Sequence, residues 1–130
     1  MHPHDQAIEH FQALQPQRFT WLVRFDLREH FSLTIFEREV LLQLWLRAAD
    51  EQKVEKPFLR LACFGVGRGK DFGWLWPLYS LPVQLKIQAI RQYQLRDIFF
   101  EVMCFDDSYD SYDTLFTCRH FEVNLEETCE

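Results

Sequence analysis

The chain has 130 residues, 48% of them apolar and 16% aromatic, with 13 Phe, four Trp, four Tyr and a formal net charge of −6. That length fits one domain with a substantial core. The apolar content excludes a disordered chain, and no apolar run approaches the roughly 18–20 residues that a membrane helix needs. The opening MHPHDQAIEHFQ lacks the basic and apolar regions of a secretory signal, so the expected location is the cytoplasm.

In chain order, residues 5–15 read as a helix. Asp5 is the cap, Ala7, Ile8, Phe11 and Leu14 form one stripe, and Pro16 is the stop. Residues 18–27 alternate, with Phe19, Trp21, Val23, Phe25 and Leu27 on one side and Arg18, Thr20, Arg24 and Asp26 on the other, the pattern of a half-buried strand. Thr34-Ile35-Phe36-Glu37 fits a capping box and predicts a helix to about Asp50. Its inner stripe is Phe36, Val40, Leu41, Leu44 and Ala48, widened by Leu42, Trp45, Leu46 and Ala49.

A charged connector over 52–57 leads to an inner strand at 58–64, FLRLACF. Pro82 opens a third predicted helix that ends near Leu95, with Val83, Ile87 and Ile90 inward. IFFEVMCF over 98–105 reads as a central strand, and TLFTCRHFEV over 114–123 as its returning partner. Residues 124–130 read as a fraying acidic tail. The expected fold is a single α+β domain over 1–130, with a mixed or antiparallel sheet of four to five strands and three helices packed on it.

Every glycine falls in one window: Gly65, Gly67, Gly69 and Gly73 in FGVGRGKDFG. A phosphate-binding reading of Gly65, Gly67, Arg68, Gly69 and Lys70 fails the pattern tests. GxGxxG needs glycine where Lys70 stands, and GxxxxGK[ST] needs glycine at Phe64 and a hydroxyl at Asp71. A hairpin or Ω-type loop that needs positive φ is the plainer reading, and an anion nest built from the same five residues is the alternative.

Cys63, Cys104, Cys118 and Cys129 are spaced by 41, 14 and 11 residues, which is no zinc pattern, and they read as free thiols. Asp106 to Asp113 resembles a calcium loop only superficially, because Ser111 stands at the glycine position and Thr117 at the glutamate position. Pairing strands 97–105 and 114–123 across that loop brings Glu101, Cys118 and His120 onto one face, a weak thiol-nucleophile arrangement without oxyanion donors. No catalytic set, metal or cofactor is expected.

The charge is unevenly placed. Residues 1–100 carry a net +2, whereas 101–130 hold nine acids against Arg119 alone, a net of −8. Such a surface repels nucleic acid and attracts a basic protein. The leading expectation is therefore a non-enzymatic binding module, an inhibitor or immunity-type protein that blocks a basic site on a toxin or nuclease. Its contacts are Asp106, Asp107, Tyr109, Asp110, Tyr112 and Asp113, with Glu122, Glu126 and Glu127 as the outer field. A small-ligand protein or enzyme using loop 65–73 and a homo-oligomeric structural subunit are the alternatives.

Overall fold

The computed structural model describes residues 3–33, 36–48, 57–66, 83–90, 100–106 and 110–127. Over these residues the chain forms a helix α1 (Pro3–Ala13), a 3-10 turn (Pro16–Arg18) and seven strands: β1 (Phe19–Ser32), β2 (Glu37–Ala48), β3 (Phe58–Phe64), β4 (Leu85–Ala89), β5 (Phe100–Asp106), β6 (Ser111–Cys118) and β7 (His120–Glu126). The strands make a four-stranded sheet ordered β1-β2-β3-β7 and a three-stranded sheet ordered β4-β5-β6, antiparallel throughout. The fold is mostly β, and the α+β architecture with three helices is overturned.

The largest correction concerns residues 34–50. The segment expected to be a central helix is β2, the inner strand of a long hairpin with β1 and the partner of β3 on its other side. Leu42, Leu44, Leu46 and Ala48 alternate inward and are buried. Glu39, Leu41, Gln43, Trp45 and Arg47 point to the opposite face. A near-continuous apolar run satisfies the period of a buried helix and that of a two-sided strand together, and tertiary pairing decides between them.

The helix expected after Pro82 is likewise a strand. Val83, Leu85 and Ile87 are buried while Gln84, Lys86 and Gln88 are exposed, a strict period of two. The expected returning strand at 114–123 is two strands. A break at Arg119 sends β6 to one sheet and β7 to the other, and β7 continues to Glu126 opposite Phe58. The elements at 5–15 and 58–64 stand close to where the pattern places them, while Phe72 to Trp76, which the sequence leaves open as a second strand or an irregular stretch, lies outside the described residues.

The two sheets and α1 share one core. Leu22, Leu42, Leu44, Leu46, Leu59, Leu61 and Cys63 of the larger sheet face Val83, Leu85, Ile87, Phe100, Val102, Phe116 and Cys118. Phe100 meets Phe121 edge-on across the layers at 4.8 Å, within the favourable range for aromatic pairs. α1 lies against β7 and β4, with Phe11 edge-on to Phe121 at 6.2 Å. His10 Nε2 donates to the Val123 carbonyl at 3.0 Å, which ties the helix to that strand.

Candidate functional site

The outer face of the four-stranded sheet carries the polar chemistry. Its middle is a cross-strand ladder. Trp45 is only 5% exposed, lying between the guanidinium groups of Arg24 at 4.7 Å and Arg60 at 5.9 Å. Arg47 stands over Trp21 at 5.7 Å. Arg60 donates to Gln43 Oε1 at 2.9 Å and pairs with Glu126 at 3.5 Å. Trp45 Nε1 donates to the other Glu126 oxygen at 3.4 Å. These contacts bind all four strands of the sheet together and occupy the Trp45 ring with the chain's own cations.

At the hairpin end of the same face, Glu39 is buried, with 4% of its side chain exposed. Arg119 holds it in two-pronged fashion, Nε donating to Oε2 at 3.0 Å and Nη2 to Oε1 at 2.8 Å. His30 Nε2 donates to Oε1 at 3.0 Å. Burial by itself pushes the Glu39 carboxyl up, but the hydrogen bonds and charge of Arg119, then those of His30, outweigh it and hold the group below the usual carboxylate range.

Arg119 reaches this position because it is the break between β6 and β7, where its amide donates to the Phe64 carbonyl at 2.9 Å. Gly65 makes the room. Its φ is +67°, and a Cβ there would lie 2.9 Å from Arg119 Cβ and 3.0 Å from Glu39 Oε2. The one glycine of the loop that is described therefore has a packing reason and a backbone reason.

Beside this cluster, the Phe64 ring lies 5.8 Å from His30 and 5.6 Å from His120. Beside the three rings lies a cleft of about 470 Å³, lined also by Phe31, Leu33, Glu39, Arg119 and Glu122. Above it projects the tip of the β1–β2 hairpin. Phe31 is 54% exposed, Leu33 78% and Phe36 74%. Phe31 and Phe36 meet edge-on at 6.4 Å. The Phe36 amide donates to the Ser32 carbonyl at 2.8 Å to close the turn, and Phe36 takes a left-handed φ of 55°, unusual for a bulky residue.

The residues expected to meet a partner divide between the two sheets. Asp106 ends β5 and Asp113 lies on β6 opposite Cys104, while Asp107 and Tyr109 lie outside the described residues. Asp110 is exposed at φ 51° in the turn before β6. Tyr112 is exposed on β6, edge-on to Phe105 at 5.2 Å and with Lys86 Nζ 5.3 Å from its ring. Glu122 and Glu127 are exposed on and just after β7, whereas Glu126 is engaged by Arg60 and Trp45. Gly67, Arg68, Gly69 and Lys70 lie outside the described residues.

The Glu101, Cys118, His120 arrangement is not formed. Glu101 pairs with Thr117 and accepts from Gln88 at 2.9 Å. Cys118 is fully buried in the core, and His120 stands in the other sheet on its outer face. The expected register, with Glu101 facing Cys118, is displaced by one residue: Phe100 faces Cys118 and Glu101 faces Thr117. Cys63 is also fully buried, and burial together with its hydrogen bond to the Cys118 thiol pushes its own thiol well up. Among the described residues, no group of three or more His, Cys, Asp or Glu is placed to hold a metal ion. None of the described helices is long and apolar enough to cross a membrane.

His30, Glu39, Arg119 and the apolar tip escaped the sequence reading. A hint existed in Arg119, the lone base among nine acids of the last thirty residues. Compared with known proteins, the chain matches no family model, no curated protein and no solved structure.

Proposed function

We propose that this chain is a non-enzymatic protein-binding module that docks through the end of the β1–β2 hairpin. One observation carries the reading: Phe31, Leu33 and Phe36 form a projecting apolar tip, more than half exposed at each residue. Large apolar side chains clustered in solvent mark contact surfaces, whereas singly scattered ones do not. Phe36 adds weight, since a bulky residue in left-handed backbone costs about 1–2 kcal/mol and gives no burial in return.

The carboxylates of the C-terminal third supply the long-range part of the same function. Glu122 lies at the cleft beneath the tip, and Asp110, in the turn before β6, and Glu127, just after β7, are exposed elsewhere. Together with the net charge of −6 they favour a basic partner and faster encounter at low salt. An inhibitor or immunity-type role in the cytoplasm, set against a cationic site on a toxin or nucleic-acid-handling protein, is the form of binding this layout suits.

The test is the double variant Phe31→Ser, Phe36→Ser, immobilised beside the wild type and exposed to native lysate at low and high salt. Both residues stand outside the core, so thermal unfolding stays near that of the wild type. A partner retained by the wild type and released by the variant supports the reading. The same partner retained equally by both refutes it.

A further inference from the structure

We infer that the cleft beneath the hairpin tip is a socket for an arginine side chain carried by the basic partner; the inference rests on the protein-binding reading above. The cleft holds about 470 Å³ and has three kinds of surface, each matched by one part of that side chain. Part of its lining is aromatic: Phe64 with His30 and His120 on either side, ring centroids 5.8 and 5.6 Å away. A flat guanidinium stacks on such rings, and a compact, strongly hydrated ammonium does so poorly. One wall is apolar, from Phe31 and Leu33, and suits the methylene stem. The mouth carries Glu122, 63% exposed, with His120 as its neighbour at 3.8 Å.

The balance of charge favours a cation over an anion. Among the described residues, Arg119 is the one guanidinium lining the cleft, and its two hydrogen bonds to Glu39 make a pair of no net charge. Glu122 is then the remaining carboxylate of the described lining. A carboxylate or phosphate placed there would face Glu122 and Glu39 together. An arginine would stack on the rings and present its outer edge to Glu122, completing the two-pronged geometry that guanidinium and carboxylate prefer.

The probe is N-acetyl-arginine methylamide, titrated at pH 7.5 into the ¹⁵N-labelled chain and followed by NMR. Saturable shifts are expected at residues 30, 31, 64 and 119–122. The citrulline analogue, of the same shape but neutral, should bind about fivefold or more weakly, as should the arginine probe with the Glu122→Lys variant. Glu122 is exposed, so an unchanged spectrum elsewhere certifies the fold of that variant, and Glu122→Gln repeats the test without reversing charge.

Absence of saturable shifts, equal response to citrulline, indifference to Glu122→Lys, or shifts produced by acetate in place of arginine would each overturn the socket. If the arginine probe fails while Phe31→Ser, Phe36→Ser still releases the partner, only the socket falls. If that double variant keeps the partner, the docking reading itself is lost.

Discussion

Arg119→Met is the most informative single change in this chain. It removes both donors that Arg119 gives Glu39 and leaves the carboxylate with His30 alone. With 4% of that side chain exposed, water cannot replace the lost donors. Removing one partner of a buried pair in this way costs about 3–5 kcal/mol. The reciprocal change is milder. Glu39→Gln keeps an acceptor for His30 and leaves a guanidinium that is 16% exposed and better able to reach water, so about 1–3 kcal/mol is expected. The double variant should lose less than the sum of the two, by about 1–3 kcal/mol of coupling. Urea unfolding at pH 7 reads all three, and with a slope of about 2 kcal/mol/M the Arg119→Met midpoint falls by about 2 M. The pH dependence has a definite sign. The folded Glu39 carboxyl lies below its ordinary value, so its stabilisation is complete above about pH 4.3 and fades as pH falls through the lowered folded value. The gap between wild type and Glu39→Gln should therefore close on acidification below about pH 4. A loss under about 1 kcal/mol in Arg119→Met, or a larger loss in Glu39→Gln, would refute the placement of this charge pair inside the fold.

Gly65→Ala should cost more than about 2 kcal/mol, because the new Cβ meets Arg119 and Glu39 at 3.0 Å or less and the residue sits at φ +67°; chemical denaturation measures it, and a neutral result would mean that the loop relaxes freely. Phe36→Gly relieves a left-handed backbone at an exposed site and should stabilise the chain by about 1 kcal/mol while removing partner binding, an opposition that a purely structural Phe36 would not produce. Leu44→Ala, in the middle of β2 and fully enclosed, should cost about 2–5 kcal/mol in the same denaturation experiment. Cys63 should resist alkylation by iodoacetamide at about pH 8 until the chain unfolds, since its thiol is wholly buried and pushed up; mass mapping of a native reaction decides, and early labelling at Cys63 would contradict the sandwich core.

Much of the fold was legible where one period ruled alone. FLRLACF is β3 with its predicted bounds, and β1 is a strand as expected. Register shifts between Phe19 and Trp21 and between Leu22 and Arg24 break the alternation of β1, so that Leu22 is buried and Trp21 stands with Arg47 on the outer face. β2 was illegible for a specific reason: leucine-rich runs favour helices intrinsically, and Thr34 and Glu37 imitate a capping box. The deciding signal was the weaker alternation of Glu39, Gln43 and Arg47 with Leu42, Leu44 and Leu46. In β4 the alternation of Val83, Leu85 and Ile87 with Gln84, Lys86 and Gln88 was clean, and Pro82 outvoted it wrongly. The break at Arg119 left no local signal, because the chain changes sheets there through a single residue. The candidate site was illegible for a related reason. Glu39 and Arg119 are 80 residues apart, and only the order β1-β2-β3-β7 brings them together. Assigning Phe36 to a buried helical stripe also hid the exposed tip.

The charge cluster and the apolar tip belong to one device. A projecting hairpin of 14- and 12-residue strands, bare at its end, would flex, and the entropy given up in ordering it would offset much of the free energy of binding. Here the strands are fastened just below the tip. His30 on β1 and Glu39 on β2 face each other across the hairpin, Arg119 ties Glu39 to the break before β7, and Gly65 after β3 gives Glu39 and Arg119 room to approach. Four strands thus converge where the hairpin leaves the core, just below Phe31, Leu33 and Phe36. Rigidity at that base holds Phe31, Leu33 and Phe36 in place before a partner arrives, which lowers the ordering entropy of association. The same logic gives the buried Glu39–Arg119 pair a role besides stability. Replacing His30, Glu39 and Arg119 together by well-packed apolar residues should preserve stability to within about 1–2 kcal/mol. It should nevertheless weaken partner binding, because the lining of the cleft and the setting of the tip depend on their directional bonds rather than on burial.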